Sequence, residues 1–192
     1  MTTPDPSGSP PPQGGADVSV RVAWSDDAPA IARVQVAAWK LIYQEVLPKP
    51  LLDQLNPDEI AMGWAAAMSR PPDARNRLLV ALERNVVRGF CVTGPSTDPD
   101  SDPIAVGDLS DLTIDPEHFG KGHGSRLIQA AVDTLAADRF QLVNVWVNSA
   151  ADDLRRFLES AGWAPDGAHR TLELSTGGNQ VKQIRLHAAI DG

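Results

Sequence analysis

From Val18 onward the apolar residues recur at two spacings, and the alternation between those spacings lays out the elements. Val18, Val20 and Val22 alternate with polar residues and predict a strand ending near Trp24. Ser25-Asp26-Asp27 offers capping oxygens and Pro29 a first-turn proline. They open a helix with Ile31, Val34, Ala38 and Leu41 on one face, running to about Tyr43. Pro48 and Pro50 break it, and a Leu51, Leu52, Leu55 segment leads into Asn56-Pro57-Asp58-Glu59. That tetrapeptide reads as an N-cap, a proline at the first helical position and a capping-box glutamate, ahead of Ile60, Trp64 and Met68.

Period-two patterns return at residues 77–83 and 86–93, so close together that they predict a hairpin turning at Arg84-Asn85. After a polar loop over 94–103 come a strand over 104–114 and an amphipathic helix with Leu127, Ile128, Ala131, Val132 and Leu135 on one face. A strand at 141–147, a helix ending at Gly162 and two closing strands at 170–174 and 180–188 complete the pattern. The order predicts an α+β fold: a mostly antiparallel mixed sheet with flanking helices and one parallel crossover between residues 104 and 147.

Residues 1–17 contain five prolines and three glycines with almost nothing apolar, and are expected to form a disordered tail ahead of a single domain spanning 18–192. A 192-residue chain buries about 70% of its unfolded surface without staples. With one cysteine, Cys91, a disulfide scaffold is excluded, and Cys91 itself is expected to be a buried, inert thiol. Seventeen basic against 25 acidic side chains give a formal charge of −8, which argues against a nucleic-acid footprint. No apolar run reaches the roughly 18 residues of a membrane span, and no leader pattern opens the chain, so the expected compartment is the cytoplasm. Five of the negative charges are Asp5, Asp17, Asp98, Asp100 and Asp102; the last three are expected to favour a cation beside the loop that carries them.

The chemistry concentrates in Leu112-Thr113-Ile114-Asp115-Pro116-Glu117-His118-Phe119-Gly120-Lys121-Gly122-His123-Gly124-Ser125-Arg126. Alternate glycines between a strand and a helix leave backbone amides unshielded at the positive end of the helix dipole, an arrangement that suits a phosphate or pyrophosphate. The Walker spacing is absent, Ser125 stands where a dinucleotide fold wants its third glycine, and no Gly-x-Ser-x-Gly elbow occurs. His118, His123, His169 and His187 lack metal-ligand spacing, so no metal is expected.

Phe119-Gly120-Lys121-Gly122-His123-Gly124 and Phe157-Leu158-Glu159-Ser160-Ala161-Gly162-Trp163, with Trp39, Tyr43, Leu47-Pro48 and Trp64 ahead of them, resemble the signatures of a bacterial branch of the GNAT superfamily of N-acetyltransferases. The resemblance covers residues 18–188. It implies acetyl-CoA held where the fourth and fifth strands splay, with Leu112, Thr113 and Ile114 pairing with its arm. Gly120, Lys121, Gly122, His123, Gly124 and Ser125 would hold its pyrophosphate. An acceptor amine, of a small molecule or a peptide, would enter over the first helices and the 94–103 loop. Asp108, assigned the strand parity of Leu112 and Ile114 with Asp111 facing away, stands at the position of the family's general base.

The chain departs from the family pattern at three places. Leu158 replaces the usual tyrosine acid, Phe119 replaces a Gln or Arg, and Ala151 replaces an asparagine for which Asn148 is the available substitute. Trp39 and Trp64 read as core at helical spacing, and Tyr43, the only tyrosine, remains as a polar acceptor contact or substitute acid. Two readings stay open: an acetyl-CoA-dependent N-acetyltransferase, and a CoA-binding sensor or interaction module without transferase activity. A homodimer is compatible with the fold.

Overall fold

The computed structural model describes residues 18–174 and 178–190; the expected tail at 1–17 lies outside the described residues. The elements run β1 (Val18–Val22), α1 (Ala28–Ile42), α2 (Lys49–Asp53), α3 (Pro57–Ser69), β2 (Arg77–Glu83), β3 (Val86–Pro95), β4 (Val106–Ile114), α4 (His123–Ala137), β5 (Leu142–Asn148), α5 (Asp152–Ser160), β6 (Ala164–Glu173) and β7 (Gln180–Ala189). The seven strands form one sheet in the order β1-β2-β3-β4-β5-β7-β6, antiparallel at every pairing except β4–β5. The α+β prediction holds, and the parallel crossover falls where the strand-helix-strand pattern put it.

Both faces of the central strands are covered, which is why β2 reads Leu-Leu-Val-Ala-Leu without a polar break. Ile31 and Val34 of α1 pack with Leu78, Val80, Leu82 and Phe90 on one face, and Trp64 of α3 closes over them. On the other face Leu127 and Leu135 of α4 and Leu158 of α5 pack with Leu79, Cys91, Leu109, Val143 and Val145. Burial pushes the Cys91 thiol up to about 12, so it stays protonated and inert at neutral pH.

Local chemistry explains most boundaries. Asn56 accepts from the Asp58 amide at 3.0 Å and its own side-chain nitrogen donates to Glu59, starting α3 after Pro57. The β2–β3 turn places Arg84 and Asn85 at φ +50° and +63°, the left-handed pair that a two-residue hairpin needs. Besides shifts of a residue and an end of β3 two residues later, at Pro95, two strand starts differ from the sequence reading. β4 starts at Val106 because the Asp102 carbonyl and carboxylate bond the amides at 104–106 into a turn. β6 starts at Ala164, six residues early, because an irregularity between Pro165 and His169 lets polar residues rejoin β7.

One irregularity decides the site. The β3–β4 register steps from Val92/Ser110 to Phe90/Thr113, so that Asp111 and Leu112 together oppose Cys91, with Asp111 at φ +51°. This β-bulge reverses the face of every residue beyond it. Leu109, Leu112 and Ile114 consequently all serve the α4 core, while Asp108 lies on the opposite face, across from Gly94. The shared parity assigned to Asp108, Leu112 and Ile114 is therefore wrong, because it assumed an unbroken alternation.

Candidate active site

Past the bulge the sheet opens. β4 and β5 pair only from Val106/Leu142 to Leu109/Val145; beyond that β4 stays with β3, and β5 stays with β7. The gap is a V lined on one side by the backbone of Leu112, Thr113 and Ile114 and on the other by the end of β5. An extended ligand arm can pair with such an edge like an added strand.

At the wide end of the V the chain makes a short turn. Asp115 accepts from the Glu117 amide at 3.1 Å, and Gly120 and Gly122 follow at φ +74° and +80°. These left-handed values are the reason for the glycines, since an L side chain there is strained. Gly122 is the N-cap of α4, and no side chain caps that helix. The first-turn amides at His123, Gly124 and Ser125 are thus left for an anion, together with the helix dipole. Lys121, Ser125 and Arg126 are exposed around them, and a Cβ on Gly122 would come within 2.7 Å of the Arg126 guanidinium, which folds back over the turn.

The His123 side chain takes no part in this surface. It is 1% exposed, with neither ring nitrogen hydrogen-bonded, and Nε2 lies 3.9 Å from Glu83. Burial lowers its pKa, favouring the neutral ring. His118 stands beside it, 3.0 Å from Asp115 and 3.6 Å from Glu83, and Arg88 lies 3.4 Å from Asp115. The sequence reading gave Glu83, Arg88 and Asp115 no part in the site, and together they support the glycine turn from beneath. Among the described residues no group of three or more His, Cys, Asp or Glu is arranged to hold a metal ion.

On the α1 side of the sheet are the proton-transfer candidates. Asp108 accepts from the Thr97 amide at 3.2 Å through Oδ2, while Oδ1 is buried without a hydrogen-bond partner. Burial raises its carboxyl above the usual range despite that amide. Asp111, turned outward by the bulge, is solvent-accessible yet ringed by protein, and burial raises it too. Tyr43, at the end of α1, is half-buried and edge-on to Trp39 with centroids 6.4 Å apart. Burial first, and the Asp111 charge second, push its phenol above the ordinary value, so it carries its proton at neutral pH. Leu158 is fully buried in the α4 core and faces no opening. Asn148 accepts from the Ala150 amide at 3.0 Å and so caps the turn after β5 with its side-chain oxygen.

The loop aspartates do not form a cation trap. Asp98 and Asp100 bond the Arg185 guanidinium at 3.0 and 2.7 Å, Asp166 bonds it at 2.6 Å, and Asp102 is spent on the Ile104 amide. Asp98 also accepts from the Trp146 indole at 2.9 Å. The sequence reading counted Asp98 and Asp100 as free because their partner lies on β7, more than 80 residues away.

Comparison with known proteins agrees with this geometry. Residues 37–163 match the model of the acetyltransferase (GNAT) family. The chain is 28% identical over 130 residues to the uncharacterised N-acetyltransferase YuaI of Bacillus subtilis, covering 68% of this chain and 71% of that one. The fold is similar to that of yncA from Salmonella typhimurium, solved with its cofactor acetyl-CoA (TM-score 0.65, 18% identity, 91% and 94% of the two chains). It is also similar to the PaiA N-acetyltransferase of Thermoplasma acidophilum in complex with coenzyme A (TM-score 0.65, 13% identity, 90% and 99%). The family match spans the opened β4–β5 edge, the uncapped α4 turn and α5, and on it the chain belongs to the GNAT family of N-acetyltransferases.

Proposed function

We propose that this chain transfers an acetyl group from acetyl-CoA to a primary amine of a small molecule or peptide, by direct attack of the amine on the thioester. The observation that carries the reading is the splayed β4–β5 edge ending at an uncapped helix N-terminus. An extended pantetheine arm fits the first and a pyrophosphate the second. Leu112, Thr113 and Ile114 supply the pairing edge, and the amides over Gly120–Ser125 with Lys121 hold the phosphates. That yncA and PaiA, which share this fold, were solved with acetyl-CoA and coenzyme A supports acetyl-CoA as the donor.

Attack requires a neutral amine, and for a lysine-like amine neutrality at pH 7 costs about 4.6 kcal/mol. Two carboxylates stand on the acceptor side. Asp108, the base expected from the sequence, has one oxygen engaged by Thr97 and the other without accessible surface. Asp111 is solvent-exposed at the bulge beyond which the sheet opens, so Asp111 takes the amine proton and Asp108 holds the 96–97 loop in place. The nitrogen bonds to the carbonyl carbon as the carbon–sulfur bond breaks, and the thiolate takes a proton from Tyr43 or from water. Positioning and polarisation of the carbonyl supply the remaining acceleration.

The test is amine-dependent release of free thiol from acetyl-CoA across polyamines, aminoglycosides, amino acids and peptides. Thiol release that tracks added amine supports the reading. Acetyl-CoA binding without turnover for any amine would leave the non-catalytic sensor reading instead. Gly122→Ala is expected to weaken acetyl-CoA binding about tenfold, the scale of one lost charge-assisted hydrogen bond, because strain at φ +80° moves the first-turn amides. Isothermal titration checks it; an unchanged affinity would remove this turn from the binding site.

A further inference from the structure

Two arginines on the β5–β7–β6 side of the cleft differ in what they hold. Arg185 is fully engaged by Asp98, Asp100 and Asp166. Arg170 is not. It opposes Gln183 in the β6–β7 ladder, and Gln183 opposes Asn148 in β5, so the three share one face in a row across the sheet. Its guanidinium lies 4.3 Å from the Trp146 ring and its Nε donates to Gln183 at 2.7 Å. Trp146 is itself fixed by its indole bond to Asp98. Among the described residues the two terminal nitrogens of Arg170 have no hydrogen-bond or ion-pair partner, although the side chain is within electrostatic reach of Asp98 and Asp108.

This is a pre-oriented guanidinium fork, held by a stack and one hydrogen bond, with its outer donors free. On the other side of β5 from Arg170, β4 carries Asp108, just before the V opens and within electrostatic reach of Arg170, and Asp111 at its mouth; among the described residues neither is in an ion pair. The cleft is therefore polarised, with carboxylates on the wall where the amine is deprotonated and an uncommitted cation on the other. A simple amine or polyamine uses only the first wall, whereas a molecule bearing an amine and an acid group a few atoms apart uses both.

We propose that Arg170 binds the acid group of the acceptor, and that the acceptors of this enzyme are free amino acids. The proposal rests on the transferase reading above, and its test separates the two. Acetyl-CoA turnover is measured with paired acceptors, each an amino acid and its decarboxylated amine: L-leucine with 3-methylbutylamine, L-phenylalanine with 2-phenylethylamine, and 4-aminobutyrate with propylamine. The quantity read is the ratio of kcat/KM within a pair. Comparing this ratio between enzyme forms cancels the intrinsic basicity of the acceptor.

The wild type is expected to prefer the amino acid in at least one pair. Arg170→Gln is expected to lower that ratio about 10- to 100-fold, the range for one charge-assisted interaction, and Arg170→Lys to retain part of it. Arg156→Gln, an exposed α5 arginine paired with Asp153, controls for loss of positive charge and is expected to leave the ratio unchanged. A ratio in Arg170→Gln within twofold of wild type, or no preference for any amino acid, overturns the proposal. If no acceptor is turned over, the transferase reading fails by itself. Titration of the same amino acids into CoA-saturated protein then decides the site: Arg170-dependent binding sustains it, and absence of binding overturns it.

Discussion

Asp111→Asn is expected to lower kcat/KM about 10²- to 10⁴-fold at pH 6–7, the usual contribution of a positioned general base. The loss should shrink as pH rises toward the pKa of the amine, because free amine then becomes abundant and the base is no longer needed. Burial raises the Asp111 carboxyl, so its conjugate base sits closer to working pH than an ordinary aspartate and accepts a proton more readily. In the wild type the acid limb should follow that raised value, and in the variant it should follow the amine alone. Asp108→Asn keeps an oxygen for the Thr97 amide and should fall far less. A pH–rate profile of both variants decides between them. A larger loss in Asp108→Asn returns the base to Asp108, and a pH-independent deficit in Asp111→Asn removes proton abstraction from its role.

Arg185→Met is expected to cost about 3 kcal/mol of stability, the low end for breaking a buried ion pair. The low end applies because Asp100 remains 60% exposed and can rehydrate, whereas Asp98 and Asp166 cannot do so fully. At about 2–4 °C per kcal/mol for a domain of this size, the melting temperature should fall by roughly 6–12 °C. The pH dependence follows from the carboxylates. The Arg185 hydrogen bond lowers Asp100; at Asp166 burial acts upward, but the Ala168 amide and Arg185 outweigh it and the net shift is down. Groups with depressed folded values contribute stability that is present above about pH 4 and lost as pH falls through those lower values. The difference between wild type and variant should therefore be full at pH 7 and shrink below about pH 4. A constant difference across that range would show that Arg185 acts by packing on Trp146 alone. Because the same arginine holds the 96–102 loop over Asp108 and Trp146, its loss should also raise the acceptor KM more than it changes acetyl-CoA binding.

Much of this site was legible in the residues themselves. Gly120 and Gly122 mark left-handed positions because only glycine adopts them without strain, and the absence of a capping side chain before α4 is visible as Gly122-His123-Gly124. The bulge left a fainter mark. Leu109, Leu112 and Ile114 reach one core only if an extra residue is inserted between the first two, a three-then-two spacing that regular alternation does not produce. Treating β4 as regular gave Asp108 the face of Leu112 and Ile114, which the bulge puts on the other side.

By itself the sequence determined the element order, the hairpin at Arg84-Asn85, the glycine turn before α4 and the places of Leu158 and Cys91 on an apolar helix face and in a strand, because each depends on neighbours within a few residues. The tertiary structure decided what depends on distant partners. It neutralised Asp98 and Asp100 with Arg185, left Arg170 free on Trp146, and buried His123 against Glu83. It also set Asp111 in a bulge and Asp108 on the face away from Leu112 and Ile114, since the face of a strand residue is set by pairing register with the neighbouring strand, and register is a long-range property.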